Sequence, residues 1–206
     1  MLLLTTSAHP TMLQWAHPHH GRLLTPRHYN AAPATAAAGI SWAVDNDGYN
    51  GVDLDAFERM VEQLAGLPGC RFVSVPDVVG DAWLTLRAYW EEYASLVWRW
   101  QLPPAHVLQD GIEDVGDVPW GSCAAIFLGG SDTFRRSELV RAICAHAGER
   151  GRWLHIGRVN SETGLRWAAG LGADSVDGTG WAVWRNTNLP RGLAATQAAS
   201  TQGRLL

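Results

Sequence analysis

A compact (β/α)8-type (TIM) barrel is the fold class this sequence predicts. Three observations carry the prediction: short apolar runs alternate with amphipathic stretches, most runs end in a turn or polar residue, and no GxGxxG turn follows the first run. Alternation of this kind makes parallel strands covered by helices, and runs this short suit strands buried on both faces. An open doubly wound sheet is the competing architecture. It would gather its polar residues at one switch point, whereas here they are spread over many run ends. With 206 residues the chain is short beside the roughly 250 typical of such barrels.

The expected strands, in order, are Leu2–Thr6, Gly39–Val44, Arg71–Val75, His106–Leu108, Ala124–Leu128, Arg152–Ile156 and Ala173–Val176. An eighth has no clear candidate. Residues 9–38, broken by proline and rich in histidine, read as a lid or irregular insertion in a single domain spanning 1–206, and residues 190–206 read as a mobile tail. Between the strands, Leu54–Leu64 carries Leu54, Phe57, Val61 and Leu64 at helical spacing, with Asp53 as cap and Gly66 and Pro68 as stop. Trp83–Val97 follows Asp81 with a stripe of Trp83, Leu86, Trp90, Tyr93 and Val97, expected to pack on the sheet. Ser137 opens a third helix bearing Leu139 and Ile143, and Ser161 a short fourth.

All 16 basic residues are arginine, so chemistry that needs a lysine, such as a Schiff base or a P-loop, is excluded. A net charge of −4 is not that of a protein that coats nucleic acid. The odd number and wide spacing of Cys70, Cys123 and Cys144 fit neither a disulfide framework nor a CxxC zinc site. The expected setting is therefore a reducing cytoplasm, that of the host if the chain is phage-encoded. No membrane association is expected: MLLL lacks the basic flank of a secretory signal, and no apolar run approaches a bilayer span.

The functional residues are expected at the strand ends: Asp45, Asp77, Gln109, Gly129–Gly130, Gly157 and Asp177. The steps from Asp45 to Asp77 and from Asp77 to Gln109 are both 32 residues, the length of one βα unit, which brings these groups to the carboxyl end of the barrel. One aspartate after a strand is ordinarily a helix cap; three carboxylates and an amide in phase suggest a site. Two carboxylates flanking an anomeric carbon can cleave a glycosidic bond, and a third can accept the adjacent N–H donors of guanine.

At these residues the chain resembles the tRNA-guanine transglycosylases, and most closely their short DpdA-type relatives that place 7-deazaguanines into DNA. Asp45–Asn50 (DNDGYN) is similar to the family's DSGGFQ turn, Leu108–Gly111 (LQDG) to VQGG, Leu128–Ser131 (LGGS) to GGLAVG, and Leu154–Val159 (LHIGRV) to LMGVG. LGADSVDGTG looks like GIDMFDCV, and Asp77 in VSVPDVVGD looks like the base-reading aspartate. The resemblance spans residues 39–185. It implies Asp177 as nucleophile, Asp45 as general acid/base, and Asp77, Gln109, Gly129, Gly130 and Gly157 as base contacts. The implied activity is a pentosyltransferase that exchanges guanine in DNA for a 7-deazaguanine through a covalent glycosyl-enzyme, without cofactor or metal. DNA, the free 7-deazaguanine base and a protein partner supplying DNA affinity are the implied partners. The family's zinc subdomain has no counterpart in the sequence.

Arg158 and Arg185 are candidate phosphate contacts, with solvated surface arginines as the bland reading. Trp181 and Trp184 could stack on a base or pack in the core. His155 could line the pocket or sit satisfied in the core. Three rival functions remain: a tRNA-guanine transglycosylase working with a partner subunit, a metal-dependent TIM-barrel hydrolase using His17 and His19 of the His9, His17, His19 and His20 cluster, and a non-catalytic barrel subunit.

Overall fold

The computed structural model describes residues 1–6, 15–183 and 185–202. Eight parallel strands close into a barrel in chain order: β1 (Leu2–Thr5), β2 (His20–Leu24), β3 (Trp42–Val44), β4 (Cys70–Ser74), β5 (Pro104–Leu108), β6 (Ala125–Leu128), β7 (Trp153–Ile156) and β8 (Ser175–Asp177). The seam is the β8–β1 pairing, with Leu2 opposite Ser175 and Leu4 opposite Asp177. The barrel prediction is thus met, and all seven expected strands are present.

The strand that the sequence did not announce is β2, inside the segment expected to be a lid. Within residues 9–38 the described part holds β2 and a short helix, α1 (Ala32–Ala37), while residues 9–14 lie outside the description. HGRLL does not look like a barrel strand because its polar members are buried. Gly21 faces inward at a point where a Cβ would come within 2.5 Å of Leu4 and 2.9 Å of the Ser41 carbonyl. Arg22 is 1% exposed. His20 is held between Thr5 Oγ1 at 3.0 Å and the Trp15 carbonyl at 2.9 Å.

The capping aspartates and serines act as expected. Asp53 accepts from Ala56 N ahead of α2 (Leu54–Leu64), and Asp81 from Leu84 N ahead of α3 (Ala82–Ala88). Ser137 does the same at α6 (Glu138–Glu149) and Ser161 at α7 (Glu162–Gly170), after the single turn α5 (Asp132–Arg135). The expected stripe after Asp81 is corrected. A π-helical stretch, Tyr89–Tyr93, separates α3 from α4 (Ala94–Arg99) and widens the turn, so Thr85, Tyr89, Tyr93 and Val97 at intervals of four face inward. Trp83 and Trp90 stay in solvent, at 52% and 58% exposure.

Two apolar layers hold the structure. Leu4, Leu23, Ala43, Phe72, Ala105 and Ala125 fill the barrel interior, and a larger shell lies between strands and helices. The small alanines leave room for Phe72, which meets Phe127 edge-on at 6.1 Å. After β8 come a short turn of helix, α8 (Thr179–Ala182), and α9 (Arg185–Gln202). The segment expected as a mobile tail from residue 190 is therefore helical as far as Gln202, and residues 203–206 lie outside the description. Leu189, Leu193 and Ala199 are buried, so α9 is docked and not merely helical. Among the described residues no helix is long and apolar enough to cross a membrane.

The docking of α9 can be tested by a sign. In a free helix Gly192→Ala is stabilising by up to ~1 kcal/mol. Here the added Cβ would lie 2.7 Å from the Trp181 ring and 2.8 Å from Leu3, so Gly192→Ala is expected to lower the urea midpoint.

Candidate active site

Side chains alternate along a strand with a period of two, and in this barrel the period carries the core into the site. From Ala43 it leads to Asp45, from Phe72 to Ser74, from Ala105 to Val107 and Gln109, and from Ala125 to Phe127 and Gly129. From Trp153 it leads to His155 and Gly157, and from Ser175 to Asp177. Apolar residues fill the floor, and at the carboxyl ends of the strands the same inward series turns polar. A cavity of about 490 Å3, including its open mouth, results. Asp45, Asp77, Gln109, Gly129, Gly157, Arg158 and Asp177 line it. Gly130 stands just behind, its carbonyl accepting from Arg158, while Arg185 lies at the start of α9 away from the lining.

Each carboxyl group is treated differently. Asp77 accepts from Asn46 Nδ2 on one oxygen at 2.8 Å and from Gln109 Nε2 on the other at 2.5 Å. Burial pushes its pKa up, and these two amide hydrogen bonds oppose the rise. The amides are themselves fixed: Asn46 also donates to the Val75 carbonyl and accepts from Gly48 N, and Gln109 Oε1 accepts from Gly80 N. Asp177 is 9% exposed and accepts on Oδ1 from His155 Nε2 at 3.2 Å and from Arg158 N at 3.3 Å. Among the described residues Asp45 accepts only from the Asp47 N–H, at 3.0 Å. Burial, then the negative charge of Asp177, pushes its pKa up to about 7, which this hydrogen bond only partly offsets.

Several residues of the site carried no sequence signal of their own. Ser74 Oγ is buried against the cavity and has no hydrogen-bond partner among the described residues. Arg135 is 6% exposed, lies 5.4 Å over the Trp167 ring, and donates to the Gly157 carbonyl at 2.5 Å, bracing the loop after β7 from behind. The guanidinium of Arg158 lies 5.6 Å over the Tyr49 ring and closes one wall. His155, left open between pocket and core, is a fully buried core residue that reaches the cavity only through its hydrogen bond to Asp177. Trp181 is a core residue whose indole donates to the Val159 carbonyl, and Trp184 lies outside the described residues.

The histidine cluster sits at the opposite end of the barrel, where β2 begins. His17 Nδ1 accepts from His19 N, His19 Nδ1 bonds the Met1 carbonyl, and His9 lies outside the described residues. Among the described residues no group of three or more His, Cys, Asp and Glu side chains is placed to hold a metal ion. The HxH hydrolase expectation fails because its pair lies at the wrong end of the barrel for the carboxylates.

No family model and no curated protein matches the chain. Solved structures do. An HpcH/HpaI aldolase from Desulfitobacterium hafniense DCB-2 has a TM-score of 0.57 at 14% identity, over 94% of this chain and 91% of that one. The deoxyribose phosphate aldolase from Aeropyrum pernix has 0.59 at 14%, over 87% and 84%. Tryptophan synthase subunit alpha from Legionella pneumophila str. Paris has 0.59 at 10%, over 98% and 93%. At these identities the likeness is one of fold. It is to aldolases and synthases, and it overturns the resemblance to tRNA-guanine and DpdA-type transglycosylases. The pentosyltransferase activity, the 7-deazaguanine exchange in DNA and the tRNA variant drawn from that resemblance go with it. The site gives a physical reason. Each oxygen of Asp77 already accepts from an amide, Gly129 N donates to the Leu108 carbonyl and Gly157 N to that of Leu128, so these groups assigned to read a base have partners within the protein.

Asp45 links stability to pH. Its folded-state pKa, about 7, lies above the ordinary carboxylate value near 4, so the folded protein keeps a proton that the unfolded chain releases, and stability falls as pH rises through that interval. Asp45→Asn removes the titration. The variant is expected to be more stable than the parent at pH 8, by roughly 4 kcal/mol at most, with the difference vanishing near pH 4, as read by urea denaturation at both pH values.

Proposed function

We propose that this barrel makes or breaks a carbon–carbon bond next to a hydroxyl group, in an uncharged β-hydroxycarbonyl compound, by carboxylate acid–base chemistry. The observation that carries this reading is the pairing, in one cavity, of Asp45, raised to about pH 7, with Asp177, whose Oδ2 receives no hydrogen bond among the described residues. A proton donor poised near neutrality and a proton acceptor facing the same substrate are what aldol cleavage requires. Asp177 Oδ2 takes the hydroxyl proton, the adjacent C–C bond breaks, and the alkoxide carbon becomes a carbonyl. The bond's electron pair moves to the other fragment, and Asp45 protonates the enolate oxygen as it forms. Asp177 then delivers its proton to the enol carbon while Asp45 recovers the enol proton, which resets both groups.

The chain has no lysine, so no iminium forms on a lysine to accept the electron pair, and the proton on Asp45 takes that role. Three carboxyl groups around the floor favour an uncharged substrate over a phosphate there. Phe127, Val107 and Val79 supply apolar walls, and the free Ser74 hydroxyl supplies a donor for the substrate carbonyl. The likeness of the fold to aldolase and synthase barrels supports the class of reaction.

The half-reaction is testable without the full substrate. Incubated in D2O with a panel of small uncharged ketones and β-hydroxyketones, the protein is expected to exchange the α-hydrogens of at least one, followed by NMR. Asp45→Asn and Asp177→Asn are each expected to slow that exchange by ~10²-fold or more. Exchange by either variant at the parent rate, or none across the panel, would remove the proposal.

Ser74→Ala separates binding from folding. Loss of a buried unpaired hydroxyl is expected to stabilise the free protein by ~1 kcal/mol while raising KM several-fold with kcat little changed.

A further inference from the structure

Behind Asp177 a line of polar side chains runs down through β7 and β8 into the apolar floor. Trp153 Nε1 lies 2.8 Å from Ser175 Oγ, Ser175 Oγ 2.9 Å from His155 Nδ1, and His155 Nε2 3.2 Å from Asp177 Oδ1. Ser175 and His155 are fully buried. Phe72 and Phe127 pack against the imidazole at ring distances of 4.8 and 4.5 Å, which confines the plane of the ring.

The direction of each hydrogen bond follows from the donor inventory. An indole N–H can only donate, so Trp153 occupies a lone pair of Ser175 Oγ and leaves the hydroxyl proton to be given elsewhere. Among the described residues the acceptor in reach is His155 Nδ1. With Nδ1 accepting, the one proton of a neutral imidazole sits on Nε2 and is donated to Asp177. The opposite tautomer would set the Nε2 lone pair against a carboxylate oxygen. Arg158 N also donates to Oδ1, so the proton that Asp177 gains and loses belongs on Oδ2.

We propose that Trp153, Ser175 and His155 form a positioning relay that fixes the tautomer of His155 and thereby holds Asp177 with Oδ1 tied and Oδ2 presented to the substrate. The role of Oδ2 rests on the reading of Asp177 as the base; the tautomer does not. His155 and Ser175 are positioning residues, acting through Asp177 and never on the substrate.

Nitrogen NMR of protein with 15N-labelled histidine, with His155→Gln to identify the signal, reads the relay directly. At neutral pH His155 is expected as the single Nε2–H tautomer. Ser175→Ala is expected to lose that single-tautomer pattern and to lower kcat at least ~10-fold at near-constant KM, and Ser175→Thr, which keeps a hydroxyl, to retain both. If Ser175→Ala does not fold, Trp153→Phe replaces it: loss of the single tautomer supports the relay and its retention overturns it. An Nδ1–H or doubly protonated His155 in the parent, or an unchanged tautomer in Ser175→Ala, also overturns it. If no variant and no parent shows turnover, the lyase reading fails while the nitrogen spectrum still decides the relay.

Discussion

Three carboxyl groups that share one poorly solvated cavity cannot all carry charge without help, and much of the architecture around the site answers that constraint. Asp77 is answered by two amides, each pinned in turn by backbone groups of neighbouring loops. Asp177 is answered by an imidazole and a backbone N–H. Asp45 has the least help and keeps its proton instead. In the reaction proposed for this site, the unequal treatment divides labour among chemically identical side chains: one is structural, one accepts, one donates.

The same division explains why the loops at this face are tied to one another. Asn46, after β3, reaches the loop after β4, Gln109, after β5, reaches both Asp77 and Gly80, and Asp110 holds Ser131, after β6. Arg158, after β7, reaches back to the Gly130 carbonyl, and its own N–H meets Asp177 at the end of β8. From β3 to β8 the rim is a chain of side-chain-to-loop contacts, so the geometry of the carboxyl pair is set by the ring and not by any one loop. An effective acid–base pair requires placement within a fraction of an ångström, and this rim supplies it.

Much of this was legible in the residues. Strand ends followed by Asp or Gln at βα spacing located Asp45, Asp77, Gln109 and Asp177 at one face, because the period of two and the repeat of one βα unit are properties of sequence. The second strand was not legible, since one of its two inward residues is a glycine and the neighbours of that glycine are a buried histidine and a buried arginine, all of which read as loop. The outward face of Trp90 was missed because a π-helical stretch has a period no 3.6-residue template anticipates. The partners of the carboxyl groups were less legible for a different reason: Asn46 and His155, the latter left open between pocket and core, gain their roles from contacts across strands, as does Arg135 behind the Gly157 carbonyl. The transglycosylase resemblance failed at the same point, matching residue types at strand ends without knowing which of them are already bonded to each other.

The seam of the barrel has a consequence for how the protein comes into being. Leu4 pairs with Asp177 across most of the described chain, so closing the cylinder is the strand pairing of longest sequence separation and comes with the largest loop-closure entropy of any strand pairing. The strand that closes it is also the strand that delivers Asp177. A chain emerging from the ribosome can therefore form most of its βα units with Asp45 and Asp77 in place while the third carboxyl group is still missing from the cavity, and the site is completed only as β8 closes the barrel, together with the helix packed across the seam.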